Sequence, residues 1–401
     1  MKILLVCEGL SSKTVLAQPW RHVIEVATRM KSSGDTVEII SNAATGLAIT
    51  EEILGVPVYR VKKGLFFESQ ELLTLLNAID VDVINWHGSD LLSALHFWRL
   101  RKKINKKIVW TVHSGKISFS DFEPLSISDK LRLYKFWNNL LNAIIPKYFI
   151  KKWINIPQLK IITTLSERTQ KYIEKLGTNK KVVTIRSGVD TSKYHPAIAE
   201  EISVINAKLG FNKEPVVLYF GPLSSFRGAD TFILALPEIL KVYPSINIVI
   251  LARNYTGKEE ETRISKLIPK AANVKVISGV LSQPELIQYL QASTIIVLPF
   301  KFWPQVECPL TILESMAIGK IVISTNIGAI PELIRNNVNG FLIEPGNVSE
   351  LKNAIIKSLS DIAVSNKVNV NASFIIQQYD WGRIAEDTLR TLKESFEGVC
   401  I

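Results

Sequence analysis

Glu307 and Glu314 flank the apolar stretch CPLTIL, and in one continuous helix two turns would bring both carboxylates to the same face. Pro309 opposes that reading, because proline lacks an amide hydrogen and its ring disturbs the preceding turn, although it suits the first position of a helix. The expectation is a loop residue at Glu307 and a helix that starts near Pro309 and carries Glu314. The amides of Leu310 and Thr311 then lack intrahelical partners and project from the helix N-terminus, where anions bind. Two acids beside an anion site look contradictory.

Other chemistry-bearing residues sit where strands end. YFGPLSSFRGAD leaves an apolar run, turns at Gly221-Pro222 and again at Arg227-Gly228, and enters a helix. A guanidinium there can grip a diphosphate through two parallel hydrogen bonds, although turn arginines on surfaces are common. KIVWTVHSG places His113 at a strand end, where an imidazole could bond a ligand hydroxyl or serve a structural role. TIRSGVDTSKYHP has the spacing of a domain-closing loop, and NIGAIPELIRNNVNGFLIEPGN adds a turn and a short helix carrying Glu332. The DVD at Asp80 to Asp82 is read as strand-start polarity, not as a metal site.

The elements that must position these groups alternate along the whole chain. Short Val/Ile-rich runs separated by helix-length amphipathic stretches argue for parallel sheets with helical crossovers. KILLV, TVEII, VDVIN, KIVWTV, LKIITT and KKVVTI form a first set, and PVVLYF, INIVILA, VKVIS, STIIVLP, KIVIST and GFLIE a second. Two sets of about six predict two doubly wound α/β domains whose ligands bind at the carboxyl ends of the strands. The joint is placed near YHPAIA, residues 194 to 199. Between Gly115 and Leu159 no strand is expected. That stretch instead holds an amphipathic pattern from Leu131 to Ile145, followed by Lys147, Lys151 and Lys152. These residue types suit either an interfacial helix or one packed on its own sheet.

The totals bound the class. A chain of 401 residues is long for one core. Cys7, Cys308 and Cys400 show no CxxC or metal-ligand spacing, which speaks against a disulfide framework or zinc site and fits a reducing compartment. The apolar run Ile3 to Cys7 is too short for a signal peptide or a membrane span. The formal charge of +11 is uneven: residues 1 to 197 carry 29 Lys/Arg against 17 Asp/Glu, and the remainder 19 against 20. An anionic partner of the first half, such as a membrane surface, would explain this, as would solubility alone. RLRKKINKK, residues 99 to 107, is compatible with a solvated helix end.

Taken in order, the motifs resemble those of the family-4 glycosyltransferases over nearly the whole chain. RHVIEVATRMKSSGDTVEII is similar to that family's first helix and second strand, WTVHSG to its histidine strand, and SGVDTSKYHP to its NGVD segment. FGPLSSFRG is similar to its GR(x)nKG loop, ECPLTILESMAIGKIVIST to its E(x)7E region, and GAIPELIRNNVNGFLIEPG to its GGxPExI…GxLxxPG tail. The resemblance implies a GT-B fold, with two Rossmann-like domains (1–197 for the acceptor, 198–379 for the donor) and residues 380–401 crossing back to the first. It implies retaining sugar transfer from a nucleotide sugar, with no metal or other cofactor. By position, Arg227 stands for the diphosphate-binding lysine, and Gly221 belongs to the same loop. Glu314 would hold the donor ribose, Glu307 the transferred sugar, and His113 would lie beside its reacting face. Gly279, Val280 and Leu281 match the nucleobase segment, and Leu310 and Thr311 the phosphate-binding helix start. Ala17, Gln18, Arg21 and His22 fall on the acceptor side.

The chain departs from the family pattern in four places. Pro222 replaces a loop arginine, Ala17-Gln18 a GG pair that opens the first helix, Ser187 the Asn of NGVD, and six residues instead of seven separate the glutamates. The expected partners are a nucleotide sugar, a glycan or lipid-linked acceptor and an anionic membrane surface. Nucleic acid is disfavoured because no aromatic-basic module lies on the strands. The expected location is cytoplasmic, with peripheral attachment to the inner face of the membrane. Two alternatives share this reading of the residues: a GT-B epimerase using the same donor site, and a basic binding module without catalysis. A dinucleotide dehydrogenase is excluded because CEGLSSKTV, not GxGxxG, follows the first strand.

Overall fold

The computed structural model describes residues 1–42, 49–62, 70–125, 127, 140, 142–211, 213–253, 258–302, 307–361, 368–370, 372 and 375–397. The strands are β1 (Lys2–Cys7), β2 (Thr36–Asn42), β3 (Thr50–Ile53), β4 (Val56–Val61), β5 (Val83–Gly88), β6 (Ile108–Val112), β7 (Leu159–Thr164), β8 (Lys181–Thr184), β9 (Val216–Gly221), β10 (Asn247–Ala252), β11 (Val274–Ser278), β12 (Ile295–Leu298), β13 (Ile321–Thr325) and β14 (Phe341–Ile343). The helices are α1 (Trp20–Ser32), α2 (Gln70–Ala78), α3 (Ala94–Leu100), α4 (Lys147–Ile154), α5 (Glu167–Lys175), α6 (Ala199–Leu209), α7 (Ala229–Val242), α8 (Lys258–Ser265), α9 (Gln283–Ala292), α10 (Leu310–Ala317), α11 (Ile330–Leu333), α12 (Val348–Ser360) and α13 (Trp381–Glu397).

Two sheets carry the two domains, in the orders β3-β4-β2-β1-β5-β6-β7-β8 and β11-β10-β9-β12-β13-β14. Every pairing is parallel except β3 with β4. Ile3 to Val6 and Val217 to Leu218 are wholly shielded from solvent, as continuous Val/Ile/Leu runs covered by helices on both faces should be. Each such side chain stabilises the fold by roughly 1.5–3 kcal/mol relative to an exposed one.

The first sheet holds eight strands, not six. The unforeseen pair is β3 and β4, joined at Leu54-Gly55, where both residues take positive φ. Pro57 in VPVYRV argues against an inner strand. In the structure it sits in the antiparallel β3–β4 pairing, opposite Glu52. No strand lies among the described residues between β6 and β7, where a short 3-10 turn (Phe119–Phe122) and α4 occur. Of the amphipathic pattern read over 131–145, residues 131–139 and 141 lie outside the described residues.

Strand order reverses between β1 and β5 in the first sheet and between β9 and β12 in the second. In open parallel sheets these reversals leave a crevice at the carboxyl ends of the strands. The loops after β1, β5, β9 and β12 therefore converge, carrying the candidate residues of both domains. The C-terminal helix α13 returns to the first domain, packing on α1 and against β5, β6 and β7. Asp80 and Asp82 sit at the opposite, amino end of that sheet. There Asp82 accepts from the Lys2 amide at 2.8 Å and Asp80 pairs with the Lys2 side chain.

Candidate functional site

α10 begins where its sequence says it should. Pro309 is its N-cap in extended conformation and makes no side-chain cap. Leu310 and Thr311 occupy the first two helical positions, whose amides have no intrahelical acceptor. Glu314 is one turn further on and is buried. Across the loop after β9, Ser225–Arg227 form a 3-10 turn, and Gly228 follows at φ 69°. A Cβ at Gly228 would lie 1.7 Å from the Pro299 carbonyl oxygen, so glycine is required both for the left-handed backbone and for close approach to the loop after β12. That contact ties the Arg227 turn to the segment leading into α10. The Arg227 guanidinium lies 5.3 Å from the Phe300 ring centre.

The structure brings Glu314 to the first domain. Its Oε1 accepts from the Arg21 guanidinium of α1 at 2.9 Å, and both side chains are buried. Burial pushes the Glu314 carboxyl up, while Arg21 and the Tyr194 hydroxyl draw it back down. Glu307 also crosses the cleft. It accepts from the Gly115 amide at 2.7 Å and from the Ser166 and Thr169 hydroxyls. Burial raises its pKa, opposed first by those two hydroxyls. A cavity of about 10 Å³, room for roughly one water, is lined by Gly115, Arg168 and Glu307 with Gly328 of the second domain.

A third carboxylate of the second domain, Glu332 on α11, reaches the same first-domain helix. It accepts from the amides of Glu167 and Arg168 at 2.8 Å each and from Arg186 at 2.8 Å. Ser166 caps α5 through the Thr169 amide at 3.1 Å. The α5 terminus is thus an anion-binding end occupied by the protein's own acids. Reading the sequence assigned no role to Glu332, Ser166, Thr169 or Arg186. A capping Ser followed by Glu and Thr after strand β7 was the available signal.

His113 follows β6 and is buried with His87 and His22. His87 Nδ1 and His113 Nε2 are 3.0 Å apart, so one donates to the other, and the His22 ring lies edge-on to His113 at 5.2 Å. His113 Nδ1 is buried and has no hydrogen-bond partner among the described residues. Burial depresses all three imidazoles: His22 to about 4, and His87 and His113 well below the usual histidine range. His87 was missed because a lone strand-end histidine carries no motif. On the acceptor side, α1 begins at Trp20, so Ala17 and Gln18 precede the helix and do not open it. Ala17 accepts the Arg21 amide at 2.8 Å. Ser187 Oγ accepts from Gln18 at 3.0 Å and bonds His22 Nδ1 at 3.2 Å.

The remaining residues divide. Gly279, at φ 118°, donates its amide to Ala252 at 3.1 Å, and Val280 is 77% exposed while Leu281 packs on the core. Gly221 ends β9. The SGVD loop docks α13: the Val189 amide bonds the Tyr379 carbonyl at 2.8 Å and the Trp381 amide bonds the Val189 carbonyl at 3.2 Å. A Cβ at Gly188 would meet the Trp381 ring and the Tyr379 carbonyl, each at 2.8 Å.

Parallel α/β sheets in two domains that meet across carboxyl-end loops, with a C-terminal helix returning to the first, define the GT-B fold. The profile of Glycosyltransferase Family 4 matches residues 20–193 and that of Glycosyl transferases group 1 residues 201–373, and the chain belongs to this family. It is 27% identical over 210 residues to a GDP-mannose-dependent monoacylated alpha-(1-6)-phosphatidylinositol monomannoside mannosyltransferase of Corynebacterium glutamicum, covering 51% of this chain and 54% of that protein. The chain thus spans about half the length of that relative. Over 94% of both chains it is 22% identical to an uncharacterized glycosyltransferase of Methanocaldococcus jannaschii. Among solved structures, sucrose-phosphate synthase from Thermosynechococcus elongatus superposes with a TM-score of 0.75 at 18% identity, covering 99% of this chain and 100% of that one. The Anabaena protein HepE, in complex with UDP and glucose, superposes with a TM-score of 0.70 at 19% identity, covering 98% and 99%.

Proposed function

We propose that this glycosyltransferase moves a hexosyl unit from a nucleotide sugar to a lipid-linked or polysaccharide acceptor, with retention of anomeric configuration and without a metal ion. The observation that carries the donor assignment is that the Arg227 turn, tied through Gly228 to the loop after β12, and α10, with its unbonded first amides and Glu314, both follow strands at the β9/β12 switch point. Phosphates require donors and sugar hydroxyls require acceptors, and this crevice offers both. The complex of HepE with UDP supports the nucleotide.

In the proposed step the bond between the anomeric carbon and the phosphate oxygen breaks, and the diphosphate leaves toward Arg227 and the α10 amides. The acceptor hydroxyl forms the new bond on the same face, and its proton passes to the departing phosphate oxygen. Preorganised donors aimed at the leaving group supply the stabilisation that a metal ion would otherwise give. Glu314 holds the ribose, Glu307 the moving sugar once it exchanges its first-domain partners, and His113 a sugar hydroxyl.

In the first domain α4 packs on α3 and leaves Lys147, Tyr148, Phe149, Lys151 and Lys152 exposed. Lysines on phosphates and aromatics at headgroup level fit an anionic lipid surface, and so support a cytoplasmic protein peripheral to the inner face of the membrane. No helix among the described residues is long and apolar enough to cross a membrane.

A thermal-shift screen with UDP-, GDP- and ADP-sugars, with and without a chelator, tests this reading. One donor is expected to stabilise the wild type regardless of chelator, and Arg227→Ala to abolish most of that shift. Proton NMR of the product reads the anomeric outcome, and sedimentation with anionic vesicles the membrane arm. Absence of any donor shift, or an equal shift in Arg227→Ala, refutes the donor assignment.

A further inference from the structure

The donor crevice has one arginine on its β9 loop, because Pro222 occupies the first turn and only Arg227 the second. The neighbouring strand supplies another. Ala252, the last residue of β10, pairs with Gly221, the last of β9. Arg253 is the first residue beyond that strand end, and its amide donates to the Gly221 carbonyl at 3.2 Å. On its other side, the Gly279 amide holds Ala252. Arg253 therefore leaves the sheet between the turn that carries Arg227 and the segment Gly279 to Leu281.

The side chains point the same way. The Arg253 guanidinium lies 5.7 Å from the Phe220 ring centre, and that of Arg227 5.3 Å from the Phe300 ring centre. Phe220 and Phe300 belong to one apolar cluster with Leu310 and Leu313 of α10. Both cations thus lie on the α10 side of the sheet. Arg253 is also close enough to Glu314 to favour its ionised form. No carboxylate among the described residues makes a salt bridge with Arg253, whereas Arg21 across the cleft is engaged by Glu314.

We propose that Arg253 is a second cationic residue of the donor site, contacting the diphosphate of the bound nucleotide beside Arg227. The inference rests on the donor-site reading above. Two guanidinium groups reaching the crevice from adjacent strand ends would hold a diphosphate from two directions, with the α10 amides on a third. Lysine in the same place would keep the charge but lose the planar fork.

The test is calorimetric titration of UDP, GDP and ADP, with the matching nucleosides as controls, into wild type, Arg253→Ala, Arg253→Lys and Arg253→Gln. Arg253→Ala and Arg253→Gln are expected to weaken the preferred diphosphate at least about tenfold without changing nucleoside affinity. Arg253→Lys should fall between them and wild type, and the salt dependence of diphosphate binding should become shallower in Arg253→Ala. Unchanged diphosphate affinity in a variant with wild-type melting behaviour overturns the inference alone. So does an equal loss for nucleoside and diphosphate, which places Arg253 on the base or ribose. If wild type binds none of the three diphosphates, the donor-site reading falls and the inference with it.

Discussion

Each acid of the candidate site is held by a specific set of donors. Glu307 accepts from one amide and two hydroxyls, and Glu314 from a buried guanidinium. Their positions in sequence indicated two acids beside an anion-binding helix start, but not that first-domain residues would hold both. That information lies in Ser166, Thr169 and Arg21, which come together with the acids only through the fold. The histidines give a sharper residue-level expectation. His22 is buried against His87, His113, Ser187 and Trp381, and its pKa is depressed to about 4. An unfolded histidine titrates near 6.5. Between those values the unfolded chain binds a proton that the folded chain refuses, so this contribution is intact above about pH 6.5 and is lost as pH falls toward 4. The raised pKa values of Glu307 and Glu314 act with the opposite sign, favouring the folded state at lower pH. Comparison with His22→Asn isolates the histidine: in denaturant titrations the variant's stability should fall less steeply with acid, by up to about 1.4 kcal/mol per pH unit across that window. Parallel curves for the two proteins would show that His22 does not titrate this way.

At the scale of elements, helix N-termini organise the cleft. α10 has a first turn without intrahelical acceptors after the β9/β12 switch point, and α5 has its first turn filled by Glu332. In Glu332→Ala the amides of Glu167 and Arg168 lose their acceptor, while the Ser166 cap on the Thr169 amide remains. Hydrogen exchange at the first two amides is expected to rise about tenfold or more, consistent with loss of a charge-assisted bond, with Thr169 little changed. Uniform exchange across all three in both proteins would remove Glu332 as the cap. The element that sequence reading found most readily was the buried strand, since continuous runs such as KILLV and INIVILA have few other homes. The β3–β4 pair was not legible because Pro57 lies in β4, an inner strand between β3 and β2, where proline is a reason to reject the strand. The α10 start was legible because Pro309 sits before a periodic apolar run. The docking role of SGVD was not, because it depends on Tyr379 and Trp381 nearly two hundred residues away.

Over the whole molecule, the cleft is closed by contacts between unlike chemistries. Three carboxylates of the second domain meet cations, amides and hydroxyls of the first, and an aromatic contact joins them: the Phe122 ring of the first domain lies 5.1 Å from Phe302 of the second, tilted by 32°, with Phe226 5.4 Å beyond. In two of these contacts the first domain supplies a guanidinium, Arg21 or Arg186, and the second the acid that crosses to it, Glu314 or Glu332. Separating the buried Arg21–Glu314 pair without replacement partners is costly. A donor offers replacements, ribose hydroxyls for Glu314 and an anionic group for Arg21, so opening and donor entry are coupled in this account. The most direct measurement is release of nucleoside diphosphate from UDP-, GDP- and ADP-sugars by wild type, Glu314→Gln and Arg227→Ala, each checked for an unaltered fold. Release from at least one donor by the wild type is expected, with kcat/KM reduced roughly 100-fold in Arg227→Ala and at least about tenfold in Glu314→Gln. No release from any donor, or equal release by all three proteins, would contradict it.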